Sequence, residues 1–163
     1  MNDEMLNKIA EVVAKELRNK NGDGKKMSLT AAKALIALVE KKAEEMGVKA
    51  VVAISDSGAR PIAIECMDDS YIASFDVALN KAYTVVALKM STSTLKPLAQ
   101  PGGSLYGIQF TNDSKIVIFG GGDPLVYNGE IIGGIGVSGG TEEQDTALSA
   151  YGASCLESVL KNI

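Results

Sequence analysis

Apolar side chains recur every three or four positions in four stretches of the chain, which predicts four amphipathic helices. These stretches are residues 1–20, 30–46, 70–90 and the segment that begins at residue 141. Thr30 and Ser70 are suitable N-caps, and Gly47 is a suitable stop signal for the second helix. The sequence "TEEQ", which starts at Thr141, spells a capping box, so the last helix is expected to begin there.

Short apolar runs between these helices predict five β-strands. Residues 48–55 and 61–67 are rich in β-branched side chains and flank the turn "DSGA", which predicts a hairpin. Three more strands are predicted from "SKIVIFG", "PLVY" and "EIIGGIGVSG", the last two joined by Asn128-Gly129. Hairpins make a sheet antiparallel, so the pattern predicts an α+β fold with a five-stranded, largely antiparallel sheet covered by helices.

The composition fits one globular domain preceded by a short helical segment. The 163 residues are 46% hydrophobic and carry a formal net charge of −4. The first helix is followed by "NGDGKK", a polar tether, so we divide the chain into residues 1–26, a helix plus linker, and 27–163, the domain. Scattered basic residues argue against a nucleic-acid partner. The sequence shows no signal peptide or membrane-spanning run, so we expect a cytoplasmic protein without membrane contact.

The chain contains no histidine, and this absence restricts the chemistry that it can perform. Histidine is the usual general base, the partner of most catalytic serines and cysteines, and the commonest metal and haem ligand. Cys66 and Cys155 lie far apart, outside any zinc-binding or C-x-x-C spacing, and are predicted to be reduced thiols inside the core. We therefore identify no catalytic residue and no metal site.

Glycines are concentrated between residues 120 and 145, where "GIGVSG" matches the G-x-G-x-x-G pattern of dinucleotide-binding proteins. That pattern requires a following strand of a βαβ unit, but the chain ends after one more helix. Carboxylates of Glu142, Glu143 and Asp145 also occupy the first turn of that helix and would repel a phosphate. These glycines are instead expected to allow a bulge, a twist or a close backbone approach.

Four blocks of sequence, in this order, resemble the GlcG/HbpS family, which includes the C-terminal domain of PduO. They are "VAISDSGARPIAIECMDD", "SFDVALNKAYTVV", "GGGDPLVYNGEIIGGIGVSGG" and "EEQD". The resemblance covers nearly everything from residue 30 onward. It implies an α+β fold with a five-stranded antiparallel sheet, assembly into homo-oligomers, and haem or a related tetrapyrrole as the ligand.

The resemblance also indicates candidate ligand-binding residues. Positions that match the family pattern and are assigned to ligand binding are Asp56, Gly58, Lys81, Gly121, Gly122, Ser138 and Gly139. Asp56 is alternatively an Asx-turn residue, and Lys81 a side chain at the edge of an apolar stripe. Glycines 120–122 are alternatively a wide turn. Cys66 stands where relatives usually have arginine, Ala59 replaces a common glycine, and any haem iron would need a ligand other than histidine.

The segment 1–20 resembles the encapsulation peptides that direct enzymes into bacterial microcompartments. If it acts in this way, its partners are shell or cargo proteins of a microcompartment. Alternatively, it is an ordinary helix that docks on its own domain or on a neighbouring copy.

From these observations together, we expect a small, oligomeric accessory protein that binds a cofactor or metabolite such as haem or a corrinoid. One alternative is an enzyme of corrinoid or aldehyde metabolism whose loop 91–113 closes over Lys81 or Cys66; another is a non-catalytic interaction module.

Overall fold

The computed structural model describes residues 26–163, which contain four α-helices and four β-strands. The predicted helix at residues 1–20 lies outside this described part. In chain order the elements are α1 (Leu29–Glu45), β1 (Val51–Asp56), β2 (Pro61–Cys66), α2 (Ser74–Ala87), α3 (Thr92–Leu98), β3 (Gly122–Tyr127), β4 (Glu130–Ser138) and α4 (Glu142–Lys161). Two short 3₁₀ turns, Ile108–Phe110 and Asn112–Ser114, lie between α3 and β3.

The strands form one antiparallel sheet in the order β2-β1-β4-β3. Both predicted hairpins are present, and Asn128-Gly129 adopts positive φ at both residues, as a type I′ turn requires. The prediction of five strands is wrong, because "SKIVIFG" does not pair with the sheet. Instead, the Thr84 hydroxyl of α2 accepts a hydrogen bond from the Val117 amide at 3.0 Å, and the Lys115 carbonyl oxygen lies 3.3 Å from the same hydroxyl.

The sheet separates two helical layers. Helices α1 and α4 cover one face, where the main core contains Leu35, Val39, Ile54, Ile135 and Leu148. On the other face, α2 crosses β1, β3 and β4 over a smaller core of Val51, Ala53, Ala78 and Ala82. Helix α2 therefore packs with small side chains, which brings its backbone close to the strands.

Glycines in β4 make this close approach possible. A Cβ atom added at Gly136 would lie 2.0 Å from the carbonyl oxygen of Ala78 and 2.6 Å from the amide nitrogen of Ala82. At Gly134 it would lie 2.5 Å from the carbonyl oxygen of Ala82. Any side chain at these positions would collide with the backbone of α2. Gly134 and Gly136 of "GIGVSG" are therefore explained by strand-to-helix packing, the close backbone approach that the sequence indicated.

Several helix limits differ from the predicted ones. Helix α1 is capped by Ser28, whose hydroxyl accepts from the Ala31 amide at 3.1 Å, rather than by Thr30. Helix α2 begins at Ser74 and not after Ser70, because residues 68–73 form turns. The capping box of Thr141 and Gln144 is confirmed. Among residues 26–163, no helix has the length and apolar character needed to cross a membrane.

Candidate functional site

A cleft of about 300 Å³ opens where the N-termini of α2 and α4 meet the end of β4. Its lining combines aromatic, hydroxyl and carboxylate side chains with exposed backbone. The lining residues are Tyr71, Ala73, Ser74, Val77, Phe119, Ser138, Gly139, Gly140, Glu142 and Asp145. This concave surface with a few polar groups has the general character of a small-molecule site.

A buried ion pair lies beneath the cleft. The side chain of Lys81, on α2, is fully buried, and its ammonium donates to Asp145 Oδ2 at 3.1 Å and to the Val137 carbonyl at 2.7 Å. Asp145, in the first turns of α4, also accepts a hydrogen bond from the Gly140 amide at 2.9 Å. The pair thus connects α2, β4 and α4 at one point.

Burial acts on both members of this pair. It lowers the pKa of Lys81, an effect that the nearby Asp145 carboxylate opposes. It raises the pKa of Asp145, an effect that the Lys81 ammonium and the Gly140 amide oppose. Burial outweighs the pairing in both cases, so the pKa of Lys81 is lowered and the pKa of Asp145 is raised.

Gly121, just before β3, and Gly122, its first residue, pack against the ion pair. Gly121 has a φ of +110°, and a Cβ atom there would lie 2.5 Å from Lys81 Nζ and 2.8 Å from Asp145 Cβ. Gly122 is also buried, and its amide donates to the Thr92 hydroxyl at 2.9 Å. Both predicted glycines therefore lie beside Lys81, beneath the cleft rather than in its lining. Their part in ligand binding stays a prediction.

Aromatic side chains form the rim. Lys81 Nζ lies 4.9 Å from the centroid of the Phe119 ring, a cation–π contact. Phe119 is 40% exposed although Lys81 is buried, so part of the ring remains free to contact a ligand. Tyr71, which also lines the cleft, is 71% exposed, and its chain neighbours Ile72, 96% exposed, and Phe75 lie outside the cleft lining. Such a concentration of exposed apolar side chains is typical of a binding surface.

Two further predicted residues line the cleft. Ser138 ends β4 there and Gly139 follows it, and the buried Ser138 hydroxyl donates to the Ser74 hydroxyl at 3.1 Å. The structure therefore brings together Lys81, Gly121, Gly122, Ser138 and Gly139.

Asp56 and Gly58 lie at the opposite end of the sheet. Asp56 pairs with Gly133, five residues along β4 from Ser138, a separation of about 17 Å at the rise of a strand. Asp56 accepts hydrogen bonds from the Gly58 and Arg60 amides at 2.9 and 3.0 Å, and the Arg60 guanidinium binds its other oxygen. Partial burial raises the pKa of Asp56, but these hydrogen bonds outweigh it, so the pKa is lowered. The geometry is that of the Asx-type turn alternative.

The cysteines do not form a site. Both are free, but Cys66 is exposed and Cys155 is half-buried, so the prediction that both lie inside the core is wrong. Cys66 ends β2, an edge strand whose outer positions meet solvent. Within residues 26–163, no group of three or more histidine, cysteine, aspartate or glutamate side chains is placed to hold a metal ion.

Sequence reasoning missed the aromatic rim and the role of Asp145. Phe119 was assigned to a strand and Tyr71 to a helix, and nothing local in the sequence indicates that the two meet at one cleft. Asp145 was available as a match to the family pattern, and its position four residues after the cap of α4 was correctly predicted. What the sequence could not provide was its contact with Lys81, 64 positions earlier.

Solved structures with the same fold include two of substantial sequence identity. Klebsiella pneumoniae protein ORFY superimposes with a TM-score of 0.78 at 41% identity, over 83% of this chain and 96% of ORFY. A PduOC–haem complex superimposes with a TM-score of 0.77 at 34% identity, over 80% of this chain and 94% of PduOC.

Proteins of similar sequence point to the same group of relatives. A 15.0 kDa protein from the dhaT-dhaS intergenic region of Citrobacter freundii is 44% identical over 137 residues, which cover 84% of this chain and 96% of that protein. The corrinoid adenosyltransferase PduO of the same organism is 40% identical over 104 residues, which cover 64% of this chain and 31% of PduO. The family model described as haem degrading protein HbpS-like matches residues 27–154. The resemblance drawn from the sequence is thereby confirmed, and the chain belongs to the HbpS-like family.

Proposed function

We propose that this protein binds a small cofactor, a haem-like tetrapyrrole, in the cleft between α2 and α4. The observation that carries the proposal is the cleft itself, in which the exposed rings of Phe119 and Tyr71 border a concave surface. A tetrapyrrole presents a wide, flat, apolar face, which such a rim can contact. The haem complex of PduOC, 34% identical to this chain, supports the choice of ligand.

The described residues have distinct parts in this proposal. Phe119 stacks on the flat face of the ligand, and Tyr71 and Val77 exclude water from its edges. Lys81 and Asp145 stabilise the base of the cleft, because their contacts hold α2, β4 and α4 together. Among residues 26–163, no lysine or arginine lines the cleft, whereas Glu142 and Asp145 do, so the carboxylates of a tetrapyrrole are directed toward solvent.

The cleft fits the ring better than it fits a ligated iron. Haem, when bound, supplies a flat π surface together with an iron that takes axial ligands. The chain offers no imidazole. The Met67 sulfur is already within 3.3 Å of the Ala50 amide, and Cys66 lies two strands away from Ser138. We therefore assign no reaction at the iron to this protein.

Replacement of Phe119 by alanine tests the site. We expect the dissociation constant for haemin to rise about tenfold, because an aromatic stacking contact is worth roughly 1 kcal/mol beyond its buried area. The measurement is a titration of the tag-free full chain followed at the Soret band. Phe110→Ala is the matched control, since Phe110 is 80% exposed and lies outside the cleft lining. Equal affinities of the two variants, or no binding by the unaltered chain, would contradict the proposal.

We further propose that copies of the chain associate. Supporting this is the almost complete exposure of Ile72 beside Tyr71 and Phe75, a surface that an isolated chain leaves in water. Ile72→Lys is expected to shift the oligomer toward smaller species, because the change places a charge in an apolar contact. Sedimentation velocity at micromolar concentration checks this, and a monomer in the unaltered protein would refute it.

Residues 1–20 are proposed as a targeting segment for a bacterial microcompartment. Their support is the apolar stripe of Leu6, Ile9, Val13 and Leu17, followed by the polar tether. A fluorescent protein fused behind residues 1–26 should be captured in microcompartments, and the chain without these residues should keep its melting temperature. A diffuse fusion, or loss of folding on truncation, would instead support a helix that docks on its own domain.

A further inference from the structure

We propose that the cleft recognises the face of the tetrapyrrole ring and not its metal, so that a metal-free porphyrin binds about as tightly as haem. This inference rests on the proposed function and defines its ligand class further. It differs from metal-directed binding, in which an axial ligand supplies much of the affinity. Its basis is the arrangement of Lys81, Phe119 and the polar groups that line the cleft.

The first step concerns the Phe119 ring. The Lys81 ammonium lies 4.9 Å from the ring centroid and is buried, so it acts on the face of the ring that is turned into the protein. A cation over one face draws π-electron density toward itself. The exposed part of the ring is therefore relatively electron-poor, and it is a favourable stacking surface for an electron-rich macrocycle. This contact does not depend on what the macrocycle holds at its centre.

The second step concerns the oxygen donors of the cleft, most of which are already bonded. Asp145 is held by Lys81 and the Gly140 amide. Glu142 forms an ion pair with Lys96 at 2.6 Å and accepts from the Gly120 amide at 2.8 Å. A metal ion would have to compete with these bonds for the carboxylate oxygens.

The hydroxyl groups lead to the same conclusion. Those of Ser74 and Ser138 are hydrogen-bonded to each other. The Tyr71 phenol remains at the rim, where 71% of the residue is exposed. The backbone of Cys66 lies about 10 Å from that of Ser138, two strand spacings away, because Val51 pairs with both residues. The Tyr71 phenol and the Cys66 thiol are therefore the two possible iron ligands that an experiment must remove.

The test compares two ligands and two forms of the full chain. Haemin is titrated by its Soret absorbance and metal-free protoporphyrin by its fluorescence, against the unaltered chain and against Tyr71→Phe/Cys66→Ser. That double variant keeps the aromatic ring of residue 71 and removes both iron donors. We expect the four dissociation constants to agree within about threefold, and the haemin spectrum to be the same in both forms.

The outcomes separate this inference from the proposed function. If haemin binds the unaltered chain about tenfold or more tightly than protoporphyrin does, the metal contributes to recognition and the inference is overturned. A loss of haemin affinity in the double variant, with protoporphyrin unaffected, would overturn it in the same way and would identify a ligated iron. If neither compound binds, the proposed function fails, and this inference fails with it.

Discussion

Replacement of Lys81 by methionine is expected to lower the free energy of unfolding by about 3–5 kcal/mol, because removing one member of a buried ion pair leaves the other charge unpaired in the interior. Methionine retains an apolar stem of similar length, so the loss would report on the charge rather than on a cavity. The carboxylate left behind belongs to Asp145, which is 4% exposed. Equilibrium denaturation in urea at neutral pH measures the effect.

Two further variants make this prediction specific. In Lys81→Met/Asp145→Asn, the amide oxygen can still accept from the Gly140 amide and no charge remains buried, so we expect a smaller loss than in Lys81→Met alone. Lys161→Met is the matched control, because the ion pair of Lys161 with Glu157 is exposed, and we expect little change there. A loss in Lys81→Met no larger than in this control would show that the buried pair is unimportant for stability.

Replacement of Gly136 by alanine is expected to have an effect of similar size, with a loss of roughly 3 kcal/mol or more, or failure to fold. The added methyl group would lie 2.0 Å from the Ala78 carbonyl oxygen, and only a displacement of α2 from the sheet could relieve that contact. Thermal unfolding followed by circular dichroism measures the loss. If the variant folds, its haemin affinity should also fall, because α2 carries Ser74 and Val77 of the cleft lining.

Gly129→Ala separates this packing effect from backbone strain. Gly129 has a φ of +79°, and no atom would lie within 4 Å of a Cβ there, so only the cost of a left-handed conformation, about 1 kcal/mol, is expected. A loss in Gly136→Ala equal to that in Gly129→Ala would contradict the close packing of α2 on β4.

Local patterns in the sequence predicted those features that depend on local contacts. The capping box at Thr141 and the hairpin at Asn128-Gly129 were correctly predicted, because each depends on residues close together in the chain. The family was also correctly recognised, since ordered sequence blocks are specific even where each one is weak.

Features that depend on distant contacts were missed. The segment "SKIVIFG" has the composition of a strand, yet the Thr84 hydroxyl, more than thirty positions earlier, binds its backbone. The cleft likewise forms only because residues 71–77 approach the start of α4, and Lys81 was recognisable as a candidate without its partner being evident. Composition does not show which of several apolar segments pairs into the sheet, because strand pairing depends on tertiary contacts.

The buried ion pair also has a consequence for the order of events in folding. Lys81 is separated by 64 positions from Asp145 and by 56 from Val137, so its contacts close two of the longer loops in the chain. The entropy of loop closure must be overcome before such contacts stabilise anything, and the ammonium keeps its hydration shell until β4 and α4 are both in place. We therefore expect the pair to form late in folding, so that its loss in Lys81→Met would raise the rate of unfolding more than it lowers the rate of folding.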